Sequence, residues 1–469
     1  MDPLRPSSSL QPPASSPQPP ALLAPITDPA ILEGYLRDAS NLAGNAEMLF
    51  RPRAAEEVAE VMSWCQSRAV PVTVTAKRTS TTGASVPMGG ALLSTELLAT
   101  VRGLDDVDGG VILADYQGEV ERHGLFFPPD PTSRHDCSVG GAVACNASGA
   151  RTFKYGPTRP WIEAAEVVFP SGELRWVDRA TPSPWPVPRW TEPRVKTAAG
   201  LYPAGNLLDL VIGSEGLLGV VTRVRTRLLP LPRHVLTFLA FFPTRSSMLS
   251  FLGEARGAGP RCIEYFDRGS LALIRGRVPE VPAADSALML EVEHEGEAPL
   301  EEWYERLVRH DAIADDTIVV EDEGGRAKLH AVRHALPAAV NEIIVRNGVQ
   351  KVGTDFAVPH ERLAEMLELY DRVRLPTACF GHIGDSHLHL NILPANTEEL
   401  AQGRATYLEL ARAAVAMGGT VSGEHGIGRL KKAHLALMAP PELFEAWRAL
   451  KRAADPAWIC GRGVMFDPA

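Results

Sequence analysis

The sequence predicts an α+β fold, and three observations lead to that prediction. Between residues 75 and 229, short strand-like segments alternate with loops dense in Gly, Ser, Thr and Pro. Between residues 236 and 393, strand patterns are mixed with helical patterns, which is typical of a second α+β domain. No Gly-x-Gly-x-x-Gly motif follows a strand, which disfavours a nicotinamide-binding Rossmann domain.

The N-terminal half is predicted in order as follows. Residues 1–24 are rich in Pro and Ser and are expected to be disordered. A helix is predicted over residues 26–41, with Asp28 as its cap, and a second helix over residues 55–69, where apolar and acidic residues occupy different faces. Strands are predicted over residues 70–75, 111–116, 163–169 and 217–229.

The second region continues with strands and longer helices. The predicted strands cover residues 236–242, 288–293, 317–320 and 388–393. The predicted helices cover residues 300–310, 326–345, 360–370, 397–417 and 440–454.

Composition excludes several classes of protein. A net charge of −10 argues against a general nucleic-acid binder, and no apolar run approaches the ~18 residues of a transmembrane segment. The six cysteines form no Cys-x-x-Cys pair and no basic segment precedes an apolar one at the N-terminus. The expectation is a cytoplasmic protein without its own iron–sulfur cluster, so that any electrons it handles leave through another carrier.

Three loops of small residues suggest a phosphate-binding function. They cover residues 79–84, 128–149 and 212–219. Successive backbone N–H groups in such turns can form an anion site, and small residues allow a pyrophosphate to approach. One loop of this kind is usually a surface turn, but three in order along the chain favour the phosphate-binding interpretation.

Two short segments near the C-terminus concentrate histidine and glutamate. Residues 381–389 contain His382, His387 and His389, and residues 422–428 contain Glu424 and His425. Neutral imidazole and carboxylate groups are ligands for a divalent metal, and a further His is suited to act as a base near neutral pH. The alternative is a set of hydrogen-bonded histidines near the surface.

Together these segments resemble the flavin-dependent D-2-hydroxy-acid dehydrogenases, the group related to glycolate oxidase and to D-lactate dehydrogenase. This is a branch of the vanillyl-alcohol-oxidase type of FAD protein. The resemblance covers residues 28–466, and its most specific parts are residues 127–131, 140–147, 212–216 and the two histidine segments. It implies a two-subdomain FAD-binding domain over 25–232, an α+β, ferredoxin-like substrate domain carrying the metal site over 233–425, and a helical C-terminal segment over 426–469 that returns to cover the flavin.

The resemblance also implies roles for individual residues. His425 matches the catalytic base, Arg333 the arginine that binds the substrate carboxylate, and His387 a substrate-contacting position where the family usually has Asn. His382, His389 and Glu424 match the ligands of a divalent metal, zinc or manganese. The residues implied at the FAD site are Thr79, Ser80, Thr81, Thr82, Gly83, Pro129, Asp130, Ser138, Gly140, Gly141, Asn146, Gly149, Glu215 and Gly219.

The implied reaction is oxidation of a D-2-hydroxy acid similar to D-lactate or glycolate to the 2-oxo acid. Hydride would pass from C2 to N5 of FAD, with metal assistance. The electrons would then go to a separate acceptor, which is an iron–sulfur subunit, an electron-transfer flavoprotein or a quinone. Such a partner could hold the chain peripherally at a membrane.

Two alternatives remain. The first follows from a departure from the family's usual sequence, and the second from the use of the same fold for other substrates. Residues Ala76, Lys77 and Arg78 stand where the family commonly has glycines, which suggests a non-catalytic or flavin-poor subunit of an electron-transfer complex. The other alternative is a flavin oxidoreductase acting on a different class of alcohol, which would not need the His/His/Glu cluster.

Overall fold

A computed structural model describes residues 23–275 and 281–468 of the chain. Disorder was predicted for residues 1–24, of which residues 1–22 lie outside the described residues. The N-terminal half contains helices α1 (Pro29–Glu33), α2 (Ala55–Arg68), α3 (Leu113–Glu121), α4 (Val139–Ala144), α5 (Thr152–Tyr155) and α6 (Leu207–Val211). Its strands are β1 (Met48–Phe50), β2 (Val72–Thr75), β3 (Ala91–Ser94), β4 (Val101–Gly103), β5 (Asp106–Asp108), β6 (Leu125–Phe126), β7 (Ile162–Val168), β8 (Leu174–Asp178), β9 (Val220–Thr226) and β10 (Leu229–Pro230).

The C-terminal half begins with the long strand β11 (His234–Phe242). Its other strands are β12 (Cys262–Asp267), β13 (Ser286–His294), β14 (Ile318–Val320), β15 (Val352–Gly353), β16 (Phe356–Ala357), β17 (Thr377–His382) and β18 (His387–Ile392). Its helices are α7 (Arg245–Gly257), α8 (Arg268–Arg275), α9 (Leu300–Arg309), α10 (Glu323–Asn347), α11 (Leu363–Asp371), α12 (Thr397–Ala416), α13 (Lys432–Met438) and α14 (Pro441–Ala454).

The N-terminal half is built on two main sheets. One is a parallel three-stranded sheet in the order β1-β3-β2, and the other is an antiparallel five-stranded sheet in the order β4-β5-β9-β7-β8. Helix α2 packs between them against β7 and β8. Val58, Val61, Met62 and Cys65 form its buried face, at the helical spacing that the sequence predicted.

Two local predictions were wrong. Helix α1 ends at Glu33 instead of residue 41, because Gly34 is its C-cap and the chain turns after it. Asp28 caps the first turn, as predicted. The strand predicted over residues 111–116 is instead the start of α3. Its buried residues Leu113, Tyr116, Gln117 and Val120 recur at helical spacing, and a short apolar run does not distinguish this from a strand.

The C-terminal half carries an eight-stranded sheet. Its first part follows the chain order β11-α7-β12-β13-α9-β14 and the sheet order β14-β11-β13-β12, with α8 inserted after β12. This is the ferredoxin-like arrangement, as the resemblance implied. Strands β17, β18 and β15 extend the sheet beyond β12, and β16 also pairs with β18.

The end of the chain returns to the N-terminal half. Backbone hydrogen bonds join Val72 to Ile459 and Gly461, and the buried ammonium of Lys451 donates to the carbonyl of Leu217. The largest apolar cluster contains residues from both halves and from α14, so all three parts share one core. Within residues 23–275 and 281–468, no helix combines the length and apolar character needed to cross a membrane.

Candidate functional site

The β17–β18 hairpin brings the predicted histidines together. His382 ends β17 and His387 begins β18, and the two are register partners, while His389 lies two residues further along β18. Glu424, from the loop after α12, meets them. Its carboxylate oxygens lie 3.2 Å from His382 Nε2, 3.1 Å from His389 Nε2 and 3.9 Å from His387 Nδ1. One ligand atom from each of the four residues lies within 4.8 Å of all the others.

Each imidazole is fixed by a hydrogen bond on its far side. His382 Nδ1 pairs with Glu264 at 2.5 Å, His387 Nε2 with Asp355 at 2.8 Å, and His389 Nδ1 with the carbonyl of Thr354 at 3.0 Å. Within the described part of the chain, His382 Nε2 and His387 Nδ1 are buried without a hydrogen-bond partner. Metal-binding histidines usually have such oriented rings with one free nitrogen, so this donor set fits a divalent ion.

The pKa shifts of Glu424 and His387 favour metal binding, whereas that of His382 opposes it. Burial raises the pKa of Glu424, but Lys196 and His382 outweigh this and hold it well below its usual range. Burial, reinforced by the charge of Lys196, lowers the pKa of His387 to about 3. For His382 burial is outweighed by Glu264, which raises the pKa to about 9, so an ion would have to displace a proton from this ring.

His425 is the member of the cluster that reaches the surface, with 33% of its side chain exposed. Its ring stacks on His389 with centroids 5.3 Å apart, and its Nδ1 lies 3.3 Å from Asp355 Oδ2. Burial lowers its pKa, although Asp355 opposes this effect. This shift favours the neutral ring near pH 7, in which Nε2 can accept a proton.

Arg333 is joined to the cluster through Glu264. It lies on α10 with 5% of the residue exposed, and its Nε donates to Glu264 Oε2 at 2.7 Å. The other carboxylate oxygen of Glu264 binds His382, so one buried acid holds both side chains. Among the described residues, Nη1 of Arg333 has no hydrogen-bond partner.

A small cavity beside His382 is lined by Arg333 and by a second arginine, Arg151. Arg151 is 8% exposed, and the described part of the chain offers no hydrogen-bond partner to its Nη1. Its Nε lies 3.4 Å from Asp130, a residue predicted to contact FAD. Each arginine is paired with an acid through Nε and keeps a buried Nη1 without a described partner, which favours binding of a carboxylate in this cavity.

The first predicted FAD loop contacts the segment that follows His425. Thr82 Oγ1 lies 3.3 Å from the carbonyl of His425, and the Thr82 carbonyl accepts hydrogen bonds from the backbone of Arg429 and Leu430. Ser80 Oγ lies 3.3 Å from Thr82 Oγ1. In the same loop Thr79 is half-buried, Thr81 is exposed, and Gly83 adopts a positive φ of 77°.

The second loop is held by hydrogen bonds within itself and to neighbouring segments. Ser138 caps α4 by accepting from Gly141 N, and Gly140 N donates to the carbonyl of Gly109. Asn146 accepts from Arg159 N, and the Pro129 carbonyl accepts from Gln117. Gly149 lies directly against Asp130, where a Cβ atom would come within 1.7 Å of the Asp130 carbonyl oxygen. Such a contact admits no side chain.

The third loop contacts the second loop and the segment that follows His425. Glu215 accepts hydrogen bonds from Ile427 N at 2.8 Å and Gly428 N at 2.7 Å, and burial raises its pKa to about 7. Its own N–H binds the carbonyl of Ala144, at the end of α4. Gly219, at a φ of 154°, passes close to the carbonyl of Val168. All three loops therefore converge beside the segment that carries Glu424 and His425.

Comparisons with known proteins agree with this arrangement. Residues 231–465 match the model described as "FAD linked oxidases, C-terminal domain", and residues 46–178 match the model described as "FAD binding domain". The chain belongs to the FAD-linked oxidase family. It is therefore an FAD-linked oxidoreductase.

Several curated proteins are similar to this FAD-linked oxidase over most of its length. The GlcD component of glycolate oxidase from Bacillus subtilis is 28% identical, covering 90% of this chain and 89% of that protein. D-lactate dehydrogenase of Anaerostipes hadrus is 29% identical, with 93% of both chains covered. The mitochondrial D-2-hydroxyglutarate dehydrogenase of Bos taurus is 30% identical, covering 92% and 79% respectively.

A solved structure of alkyldihydroxyacetonephosphate synthase shares the fold. It superimposes with a TM-score of 0.64 at 15% identity, covering 90% of this chain and 76% of that one. The fold is the vanillyl-alcohol-oxidase type of FAD-binding fold, as the resemblance implied.

Sequence reasoning missed four charged residues around the cluster of this FAD-linked oxidase: Arg151, Lys196, Glu264 and Asp355. Arg151 follows the second small-residue loop by two positions, which was a usable signal. Lys196, whose side chain is 3% exposed, comes from a Pro-rich stretch with no motif, yet its Nζ lies 3.0 Å from Glu424. Glu264 and Asp355 are single acids within or beside buried strands, and only the folded sheet places them behind the histidines.

Proposed function

We propose that this chain is an FAD-dependent dehydrogenase that oxidises a D-2-hydroxy acid, similar to D-lactate or glycolate, to the 2-oxo acid. The observation that carries the proposal is the cluster of His382, His387, His389 and Glu424, with unpartnered imidazole nitrogens, beside three converging small-residue loops. Relatives named for glycolate, D-lactate and D-2-hydroxyglutarate support this class of substrate.

The three loops would hold FAD. When bound, FAD supplies the acceptor for the hydride that leaves C2 of the substrate. The protein would bring its own backbone close to the cofactor in the loops that contain Gly83, Gly140 and Gly149. The remaining proposed contacts are Thr79, Ser80, Thr81, Thr82, Pro129, Asp130, Ser138, Gly141, Asn146, Glu215 and Gly219.

His382, His389 and Glu424 would hold a divalent metal, zinc or manganese. When bound, such an ion supplies Lewis acidity that lowers the pKa of the substrate hydroxyl. His387 directs its free Nδ1 into the same space, so it would act as a further ligand or as a substrate contact. Glu264, Asp355 and the Thr354 carbonyl would keep the three rings oriented.

His425 would take the hydroxyl proton at Nε2. Its neutral ring and its position at the open side of the cluster suit a general base, and Asp355 on the Nδ1 side would stabilise the ring once protonated. Arg333 would bind the substrate carboxylate through its free Nη1. The substrate hydroxyl and carboxylate would then be held at two fixed points. Only one face of C2 could be presented to the flavin, which would give the preference for D-acids.

The electrons would leave through a separate acceptor. The six cysteines are free and dispersed, and no group of metal-binding geometry among the described residues contains one. An iron–sulfur subunit, an electron-transfer flavoprotein or a quinone would serve. We place the chain in the cytoplasm, peripheral to a membrane where its acceptor is membrane-bound, with domain limits at 25–232, 233–425 and 426–469.

The flavin-poor alternative is not favoured. Relatives that cover about nine-tenths of the chain are named as oxidases and dehydrogenases. Arg78, which stands where the family commonly has glycine, adopts a positive φ of 58° and places its guanidinium over the ring of Tyr35. The loop therefore keeps a left-handed turn without the glycine.

The test is an anaerobic visible spectrum of the purified protein during addition of D- and L-2-hydroxy acids. Flavin absorption that bleaches with a D-acid and not with its L-enantiomer is expected. Bleaching by no hydroxy acid would reject the substrate class, and absence of flavin after reconstitution with FAD would reject the enzyme proposal altogether. Adding an electron-transfer flavoprotein or a quinone to the reduced protein would then identify the acceptor class.

A further inference from the structure

The ammonium group of Lys196 lies beside the proposed metal ligands. Nζ of Lys196 lies 3.0 Å from Glu424 Oε2, 3.2 Å from the Gly149 carbonyl and 3.9 Å from Asp385 Oδ2. The side chain is almost wholly buried, so this charge is compensated by protein groups and not by water. Lysine is seldom buried so deeply without such partners.

The loop that carries Lys196 is held by residues 420–422, after α12, and by helix α14. Thr197 Oγ1 lies 2.9 Å from Thr420 Oγ1, and Ala198 N donates to the Ser422 carbonyl at 2.9 Å. Trp190, in the same loop, packs edge-on against Trp447 of α14. The Lys196 ammonium is therefore positioned by flanking contacts that do not depend on the cluster.

The cation and a metal would share one carboxylate. Glu424 Oε2 faces Lys196 on one side and His382 Nε2, at 3.2 Å, on the other. In the metal-free protein Lys196 neutralises Glu424 and partly offsets the charge of Asp385. A metal ion bound to Glu424 would be repelled by the positive charge of the Lys196 ammonium.

We propose that Lys196 is a resident cation of the metal site, which keeps Glu424 and Asp385 in place in the metal-free protein and competes with the divalent ion for Glu424. This inference rests on the metal site of the proposed function. It makes Lys196 a positioning residue that sets metal affinity. Removal of the charge should strengthen metal binding, whereas removal of a merely structural side chain would weaken it.

The experiment measures metal affinity without turnover. The FAD-loaded full-length protein is stripped with a chelator, dialysed, and titrated with ZnCl₂ and separately with MnCl₂ by calorimetry. Lys196→Met and Lys196→Gln should bind the ions about tenfold more tightly than the wild type. Lys196→Arg keeps the charge and should remain near the wild-type affinity. Lys432→Met, which removes an exposed ammonium paired with Asp467, is the matched control and should change nothing.

Thermal unfolding gives a second readout. The metal-free Lys196→Met protein should melt below the metal-free wild type, and the rise in Tm on adding metal should be larger for the variant. Variants that fold only when zinc is present would also support the inference, whereas variants that do not fold even with zinc would overturn it.

The outcomes separate this inference from the proposed function. Equal or weaker metal binding by both neutral variants, with normal flavin content, would overturn the role of Lys196 and leave the metal site intact. A wild-type protein that binds neither ion would reject the metal site itself, and the inference with it.

Discussion

Nδ1 of His425 lies 3.3 Å from Oδ2 of Asp355. The other oxygen of this buried carboxylate accepts a hydrogen bond from His387 Nε2 at 2.8 Å. Burial raises the pKa of Asp355, but His425 and Lys431 hold it well below its usual range. One ionised acid therefore orients both the proposed base and a ring of the metal cluster.

Replacing Asp355 by Asn should slow flavin reduction about 10- to 100-fold. The neutral amide would no longer stabilise a protonated His425 or fix the tautomer of His387. The measurement is the anaerobic rate of flavin bleaching at saturating substrate, with flavin content and circular dichroism to confirm folding.

Ser422→Ala is the control for Asp355. It removes a hydrogen bond of 2.8 Å to the same carboxylate and leaves both histidine contacts in place. Its effect should be much smaller. An Asp355→Asn protein that reduces its flavin as fast as the wild type would contradict the assigned role.

Arg333→Lys should raise KM for the hydroxy acid about 10- to 100-fold, which corresponds to the loss of one charge-assisted hydrogen bond to a carboxylate. Flavin content should not change, because Arg333 lies on α10 in the second half of the chain. Steady-state kinetics with the preferred acid give the value. Arg346→Lys, an exposed position on the same helix, should leave KM unchanged. A normal KM for Arg333→Lys would show that the substrate carboxylate binds elsewhere, and Arg151 would be the next candidate for its binding.

Chelation should remove the metal and leave the flavin bound. Removal of metal is expected to abolish bleaching by the hydroxy acid while the oxidised flavin spectrum remains, because the loops that would hold FAD do not include His382, His389 or Glu424. Addition of zinc or manganese should restore bleaching. Glu424→Gln should behave like the chelated protein but without recovery, since a neutral amide is a weaker ligand than a carboxylate. Unchanged turnover after verified metal removal would end the metal proposal.

The sequence predicted the parts of the site that lie close together along the chain. Alternation along β18 placed His387 and His389 on one side, and Glu424 directly precedes His425. It could not predict the residues that orient them. Glu264 reaches His382 from 118 positions away, and Lys196 reaches Glu424 across 228 positions. Contacts of this kind depend on sheet order and on the return of the C-terminal segment, which no local pattern encodes.

Gly149 provides the last test, of the second FAD loop, where its carbonyl also accepts a hydrogen bond from Lys196. A Cβ atom there would overlap the Asp130 carbonyl oxygen at 1.7 Å, so Gly149→Ala must push apart the two sides of the second loop. Most of the flavin should be lost, as measured by the ratio of visible to protein absorption after purification. Gly118→Ala is the matched control, because a Cβ atom at this position of α3 meets no described atom within 4 Å. That change should keep full flavin and stabilise the fold by about 0.5–1 kcal/mol through helix propensity. If Gly149→Ala retains its flavin, the close contact with Asp130 is not part of the cofactor site.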